Sequence, residues 1–199
     1  MAFVQGRVDT RGNRITFSGR LSLPEFRHLL AAIHNKTTKE SHKNLVLDFR
    51  SCEAAFPGPM AALSAMMLKA RGDGIDATLE LPKDLKLRNL FLNAGWAHLI
   101  DPLDHDESKF RGYTHVPLIQ FISSAEQRAA VDKTVDAVLC SLRGLARADL
   151  AAIEWSINEI TDNVLVHARS LVGGVLHLNN YKRQGRVEFV VADPGVGIP

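Results

Sequence analysis

"NLVLDFRSCEAAFPGPMAALSAMMLKARGDGIDATLEL", residues 44–81, decides the fold class of this chain. "NLVLDF" is a continuous apolar run interrupted by an acid near its end, as in a buried strand. "GPMAALSAMMLKARGDG" reads as a helix stopped by Gly72 and Gly74. "IDATLEL" alternates cleanly and reads as a second strand. Toward the N-terminus, "AFVQGRV" and "NRITFSG" are short strand-like runs joined by "DTRG", a hairpin. "LSLPEFRHLLAAIHNK" has Pro24 near its start and Phe26, Leu29, Leu30 and Ile33 at helical spacing. Toward the C-terminus, "DLKLRNLFLNAGWAHLI" predicts a third helix, broken at Gly95. The order strand, strand, helix, strand, helix, strand, helix predicts an α/β fold with helices against a mixed sheet.

The polar stretch "DPLDHDESKFRGYTHVP" has little periodicity and reads as a linker, with the boundary near residue 110. Residues 1–104 form the first expected domain, 105–117 the linker and 118–199 the second. "SSAEQRAAVDKTVDAVLCSLRG" predicts a helix capped by Ser123 or Ser124 and ended at Gly144. "ARADLAAIEWSINEITDNVLVHARS" predicts a second, long helix. "GGVLHLNNYKRQGRVEFVVADPGVGIP" gives two strand runs around the turn "KRQG".

The composition is that of a soluble globular protein: of 199 residues, 46% are hydrophobic and 23% charged. Lys plus Arg is 24 and Asp plus Glu is 22, a net charge of +2, which argues against a nucleic-acid or membrane partner. No apolar run approaches the ~18 residues of a membrane span, and the N-terminus has no signal core. The two cysteines, Cys52 and Cys140, lack metal-like spacing and read as reduced thiols of a cytoplasmic protein. Cys140 lies among apolar helix residues and reads as inert. His105, His115 and His177 likewise suggest no metal site. "HNKTTKESHK" reads as a solvated charged loop. Trp96, Trp155, Met60, Met66 and Met67 read as core.

The stretch "NEITDNVLVHA", residues 158–168, raises the functional question. Four residues of helix advance ~6 Å and return ~40° past the start. Glu159, Asn163 and His167 therefore share a slowly drifting stripe. It runs beside an expected apolar stripe of Ile153, Ile157, Ile160 and Val164. Polar groups bordering a buried face are costly unless paired, and a metal or ligand would pair them. A solvated helix face explains the same line. Further on, "VEFVVADPGVGIP" runs a near-continuous apolar strand into Asp193, Gly195 and Gly197. An acid at the end of a buried strand faces whatever cleft lies beyond it, and the glycines allow close backbone approach to a ligand. Asp-Pro-Gly is also ordinary turn chemistry. The two signals together are more specific than either alone.

The E-x-x-x-N-x-x-x-H pattern of Glu159, Asn163 and His167 resembles the N box of the GHKL ATPase superfamily. "DPGVGIP" resembles that family's first glycine box. The wording is closest to anti-sigma-factor serine kinases. The resemblance covers residues 118–199 and implies the first half of a Bergerat-type α/β sandwich. It implies that Asn163 binds Mg²⁺ carried by ATP, a hard cation suited to an amide oxygen. It makes Glu159 the general base toward water or an acceptor hydroxyl. Asp193 would accept from the adenine amino group, and Gly195 and Gly197 would pass under the nucleotide. His167 would contact phosphate or favour the helix end. The family's lid and second glycine box are not in the sequence, which implies either a truncated form, the favoured reading and one inactive by itself, or a partner that completes the fold, with Val191 and Ile198 short of packing partners.

The first half, with "NLVLDF", the helix ending "ARGDG" and the later "LFLNAGW", resembles a STAS domain of the anti-sigma-factor-antagonist type. That family's switch serine would fall at Phe56-Pro57, where there is no hydroxyl; Ser51 and Ser64 are nearby but out of register. The combined resemblance implies a cytoplasmic regulator with ATP and Mg²⁺ as cofactors. Its implied partner is a protein, sigma-factor-like or STAS-like, and a homodimer is a further arrangement it allows. Serine/threonine kinase, ATPase, ATP-gated module without catalysis and interaction protein without ATP all remain open readings.

Overall fold

The opening hairpin turns later than the sequence suggests. β1 (Arg7–Arg11) stays paired with β2 (Arg14–Leu21) through Arg11 and Arg14, so the turn is Gly12 and Asn13. Gly12 takes φ 54°, a left-handed value cheap only for glycine. The side chain of Asn13 donates to Asn44 O (2.9 Å), tying the turn to the next strand. A computed structural model describes residues 5–108, 110, 114–142 and 144–195; residues 2–4 of the expected first strand lie outside these.

α1 (Leu23–His34) begins with proline in its first turn and buries Leu29 and Ile33. Its backbone does not stop at the charged stretch but continues through Asn35–Lys39 as a π-turn. Lys36 there is buried, its stem covered and its ammonium held by Glu40 at 2.8–2.9 Å, so the stretch is helical and not a loop at its start, while His34, Thr38, Lys39, Glu40, Ser41 and Lys43 are exposed as its charge suggests.

β3 (Asn44–Ala55) runs six residues beyond "NLVLDF", because parallel pairing with β2 continues from Ser51 to Ala55 across two register shifts. α2 (Pro57–Gly72) follows, burying Met60, Leu63 and Met67, with Met66 half-buried. β4 (Asp76–Glu80) pairs parallel to β3. α3 (Leu85–Asn93) is capped by Asp84, which accepts from Leu87 N at 2.8 Å. Gly95, at φ 78°, breaks the helix as expected, and α4 (Trp96–Ile100) follows. The sheet is mixed, in the order β1-β2-β3-β4.

One face of this sheet is apolar. Phe17, Phe49, Phe91 and Trp96 form a chain of rings with centroids 5.4–5.7 Å apart, all fully buried. Side chains alternate across a strand, so Asp48 lies on the other face. There it holds Arg50 at 2.7 and 2.9 Å and Arg14 at 3.1 Å, while Glu80 also pairs with both arginines. The Arg50 guanidinium, chiefly, keeps the Asp48 carboxyl down at about 2. At the outer side of β4, Leu79 N donates to Asp101 Oδ2 (2.9 Å) and His105 Nε2 donates to Leu79 O (3.2 Å). His98 Nδ1 donates to His105 O (2.9 Å), so the histidines here are structural.

Contacts divide the chain into Met1–Ser108 and Lys109–Pro199. In the second unit β5 (Val116–Phe121) begins inside the stretch expected as linker. Pro117 reads as a break, but β5 is an outer strand, where a missing N–H is tolerated. β6 (Gly174–Tyr181) is the middle strand, antiparallel to both neighbours, and β7 (Arg186–Ala192) the other outer strand. "KRQG" makes the expected turn, a 3-10 segment closed by Gly185 at φ 58°. α5 (Ser124–Ser141) and α6 (Arg147–His167) share a core with β5 and β6: Val131, Val138, Ile157, Val164, Phe121, Leu176 and Leu178. The fold is thus α/β, with one four-stranded and one three-stranded sheet among the described residues. No helix among the described residues is long and apolar enough to cross a membrane.

Candidate functional site

α5 starts at Ser123, whose side chain accepts from Glu126 N (3.3 Å) while Glu126 Oε2 accepts from Ile122 N (2.7 Å). α6 starts with Asp149 accepting from Ala146 N (3.2 Å). It ends at His167, and Arg169 beyond it takes the left-handed φ of 53°. The buried residues of α6 are Ile157, Thr161 and Val164, continued by Ala168. Steps of four, three and four keep them on one face. Thr161 thus takes the place expected for Ile160, which sits on the shoulder and is largely exposed.

Trp155 is a second correction. It is 67% exposed and is not core. A step of two residues turns a helix by ~200°, so Trp155 opposes Ile157. The same arithmetic puts Glu159 outward. Glu159 and His167 are exposed and Asn163 is half-buried. Only Asn163 therefore borders the buried face, and burial does not by itself demand a ligand for the stripe. No side-chain hydrogen bond or ion pair engages these three among the described residues.

β7 is half-exposed along its length, not buried as its apolar run suggests, because it pairs only with β6 among the described residues. Asp193, just past it, is exposed, and its Oδ1 accepts from Gly195 N (2.8 Å), the turn chemistry weighed above. The other carboxylate oxygen takes no hydrogen bond among the described residues. Gly195 meets the end of α6: a Cβ there would lie 2.1 Å from Ala168 O and 2.7 Å from Ala168 C. Helix and loop are therefore in backbone contact. Asn163 lies five residues before Ala168 and Glu159 nine, roughly 8 and 14 Å along the axis. Gly197 and Ile198 lie outside the described residues.

This contact makes a testable demand on Gly195. The clash would be with backbone, which cannot swing aside. Gly195→Ala should lift the loop from the helix at a cost of about 1–3 kcal/mol. Amide exchange at residue 195, whose N–H bonds Asp193 Oδ1, should then speed up by roughly tenfold or more, since ~1.4 kcal/mol is a factor of ten. Unchanged exchange would mean that the loop does not rest on Ala168.

The half-buried Asn163 offers one amide oxygen, a hard donor of the kind a nucleotide-borne Mg²⁺ takes alongside phosphates and water, and the exposed carboxylate of Glu159, expected as a general base, stands one turn earlier. Among the described residues there is no cluster of three or more His, Cys, Asp or Glu able to hold a metal on its own. The negative pole at the end of α6 opposes a phosphate there, and His167 and Arg169 supply positive or ionisable groups against it.

Sequence reading missed Gln127 and Thr161. Gln127 of α5 is buried, and its Nε2 donates to Thr161 Oγ1 and to Asp162 Oδ1, both at 2.8 Å. Thr161 Oγ1 in turn donates to Ile157 O (2.8 Å). Cys140, expected among apolar residues, is exposed, whereas burial pushes the Cys52 thiol up to about 12 and makes it unreactive. Compared with protein-family models, curated proteins and solved structures, the chain has no significant match.

Proposed function

We propose that the protein is a cytoplasmic regulator whose second unit binds Mg-ATP along α6 and the loop after β7. In this reading Asn163 holds the metal, Asp193 the base and Glu159 activates the hydroxyl of a Ser or Thr on a partner protein. One observation carries it. The Gly195 backbone rests against Ala168, so the Asp193 loop and the helix bearing Glu159 and Asn163 belong to one assembly. An acid-and-glycine loop seated on a helix with an amide and a carboxylate one turn apart would offer groups to both ends of a bound nucleotide, an acceptor to the base and an amide oxygen to the metal on the phosphates. The three-stranded antiparallel sheet under two helices is compatible with the GHKL likeness, and the mixed sheet of the first unit with the STAS likeness. The first unit would be a docking module, tethered at high effective concentration. The free thiols Cys52 and Cys140 fit a reducing compartment.

A second reading has its own support. Glu159 is exposed, whereas a general base works best shielded from water. Nucleotide would then hold one conformation without catalysis.

Calorimetric titration of the full-length protein with Mg-ATP, followed by incubation with labelled ATP, tests both. Asn163→Ala should weaken Mg-ATP binding by roughly tenfold or more, about the loss of one charge-assisted contact. Label transferred to protein favours the kinase, and binding without transfer favours the gate. A wild-type protein that gives no Mg-ATP binding signal removes both.

A further inference from the structure

Gln127 sits on α5, away from the stripe of Glu159 and Asn163, yet it is bonded to the turn of α6 between them. It is 5% exposed and Thr161 is fully buried. Asp162 Oδ1 can only accept, so the amide nitrogen must face α6 and both its hydrogens are used. The rest of the α5–α6 contact is mainly apolar, with Val131, Ala137 and Val138 against Ile157 and Val164. Apolar contact is non-directional and restrains rotation of a helix about its axis weakly. Two hydrogen bonds to consecutive residues, ~100° apart around α6, restrain it strongly. The stakes are geometric. A rotation of ~20° moves a side-chain tip 5–6 Å from the axis by ~2 Å. Metal–ligand distances tolerate only about 0.2 Å.

We infer that Gln127 is a positioning residue for Mg²⁺ binding: through Thr161 and Asp162 it fixes the rotation of α6 and so aims the amide of Asn163. The inference rests on the Mg-ATP reading. It also separates two parts of that site. The metal end depends directly on the orientation of α6 through the long lever of the Asn163 side chain, whereas the Asp193 loop meets α6 only at the Ala168 backbone, close to the helix axis, and takes no bond from Gln127.

The test compares Mg-ATP with ATP in excess chelator, by calorimetry on the full-length wild type and on Gln127→Leu, Thr161→Val and Thr161→Ser. Urea unfolding is run on each variant. Gln127→Leu and Thr161→Val should raise the Kd for Mg-ATP by about 10-fold or more, the usual loss for a support behind a metal ligand. They should leave binding of metal-free ATP close to wild type. Thr161→Ser keeps the hydroxyl and should restore Mg-ATP binding. Equal losses with and without metal, or losses that follow the unfolding midpoints, would overturn the inference, as would an unchanged Gln127→Leu. If Gln127→Leu fails to fold, the Val and Ser variants at Thr161 decide. A wild type that binds no Mg-ATP removes the nucleotide reading and this inference together. A binding wild type with an indifferent Gln127→Leu removes the inference alone.

Discussion

Phe49→Ala is expected to destabilise the first unit by about 3–5 kcal/mol, the range for emptying a buried aromatic site. Phe49 is one of the two inner rings of the chain: Phe17 stacks on one side at 5.7 Å and Phe91 meets the other at 5.6 Å. It is fully buried and stands on β3, the central strand that pairs with both β2 and β4. Collapse into the hole is resisted because its ring neighbours are anchored on two separate elements, Phe17 on β2 and Phe91 on α3. Urea unfolding followed by Trp96 fluorescence reads this unit, since the indole packs on Phe91 at 5.4 Å. Trp155→Phe removes the other indole from an exposed position and should cost little. Phe49→Leu, which retains most of the volume, should cost markedly less. A loss below about 1 kcal/mol for Phe49→Ala would mean that the ring chain is not the centre of this core.

The second large effect is on acidification. His177 on β6 is buried, and loss of hydration pulls its imidazole down to about 4. In the unfolded chain it titrates near ~6.5. Between these values the unfolded state takes a proton that the folded state refuses. The stabilisation is therefore complete above ~6.5 and is lost as the pH falls toward about 4. A difference of ~2.5 units amounts to about 3 kcal/mol at ~1.4 kcal/mol per unit. His115, pulled down mainly by burial, adds a loss of the same sign. Asp48 acts lower on the scale. Its carboxyl is held at about 2, so its contribution is lost only as the pH drops below the ordinary carboxylate range. Unfolding of wild type and His177→Leu at pH 7 and 4.5 separates the terms. The variant should lose clearly less stability on acidification. Parallel losses in the two proteins would place the acid sensitivity elsewhere.

Much of the architecture was legible in short-range chemistry. Gly74 and Gly95 punctuate helices because both take the left-handed backbone that few other residues adopt, whereas Gly72 is still the last helical residue of α2. The strand–helix–strand order of residues 44–81 survives because its period and its punctuation agree, although β3 extends to Ala55 through its pairing with β2. β5 was not legible, since Pro117 sends a break signal that only its position at the outside of the sheet overrides. Trp155 and Glu159 were legible in principle: counting two residues from Ile157 either way turns both outward. The stripe itself could be read from spacing, but the seat of Gly195 on Ala168 joins residues far apart in sequence and has no local signature. Gln127 left a trace that periodicity could have caught. It occupies the face of α5 shared by Ala130, Val131, Ala137 and Val138, where a buried amide requires a partner.

Leu79 has a consequence for life at high concentration. The outer margin of a sheet is a ready template on which another chain can grow, strand upon strand. At Leu79 the amide hydrogen and the carbonyl oxygen are both already taken, by Asp101 and His105 of the same unit. A foreign strand would first have to expel a buried carboxylate and a histidine ring. Asp101 and His105 thereby act as guards against self-association on the β4 side, and substitutions there should be judged by solubility as well as by folding free energy.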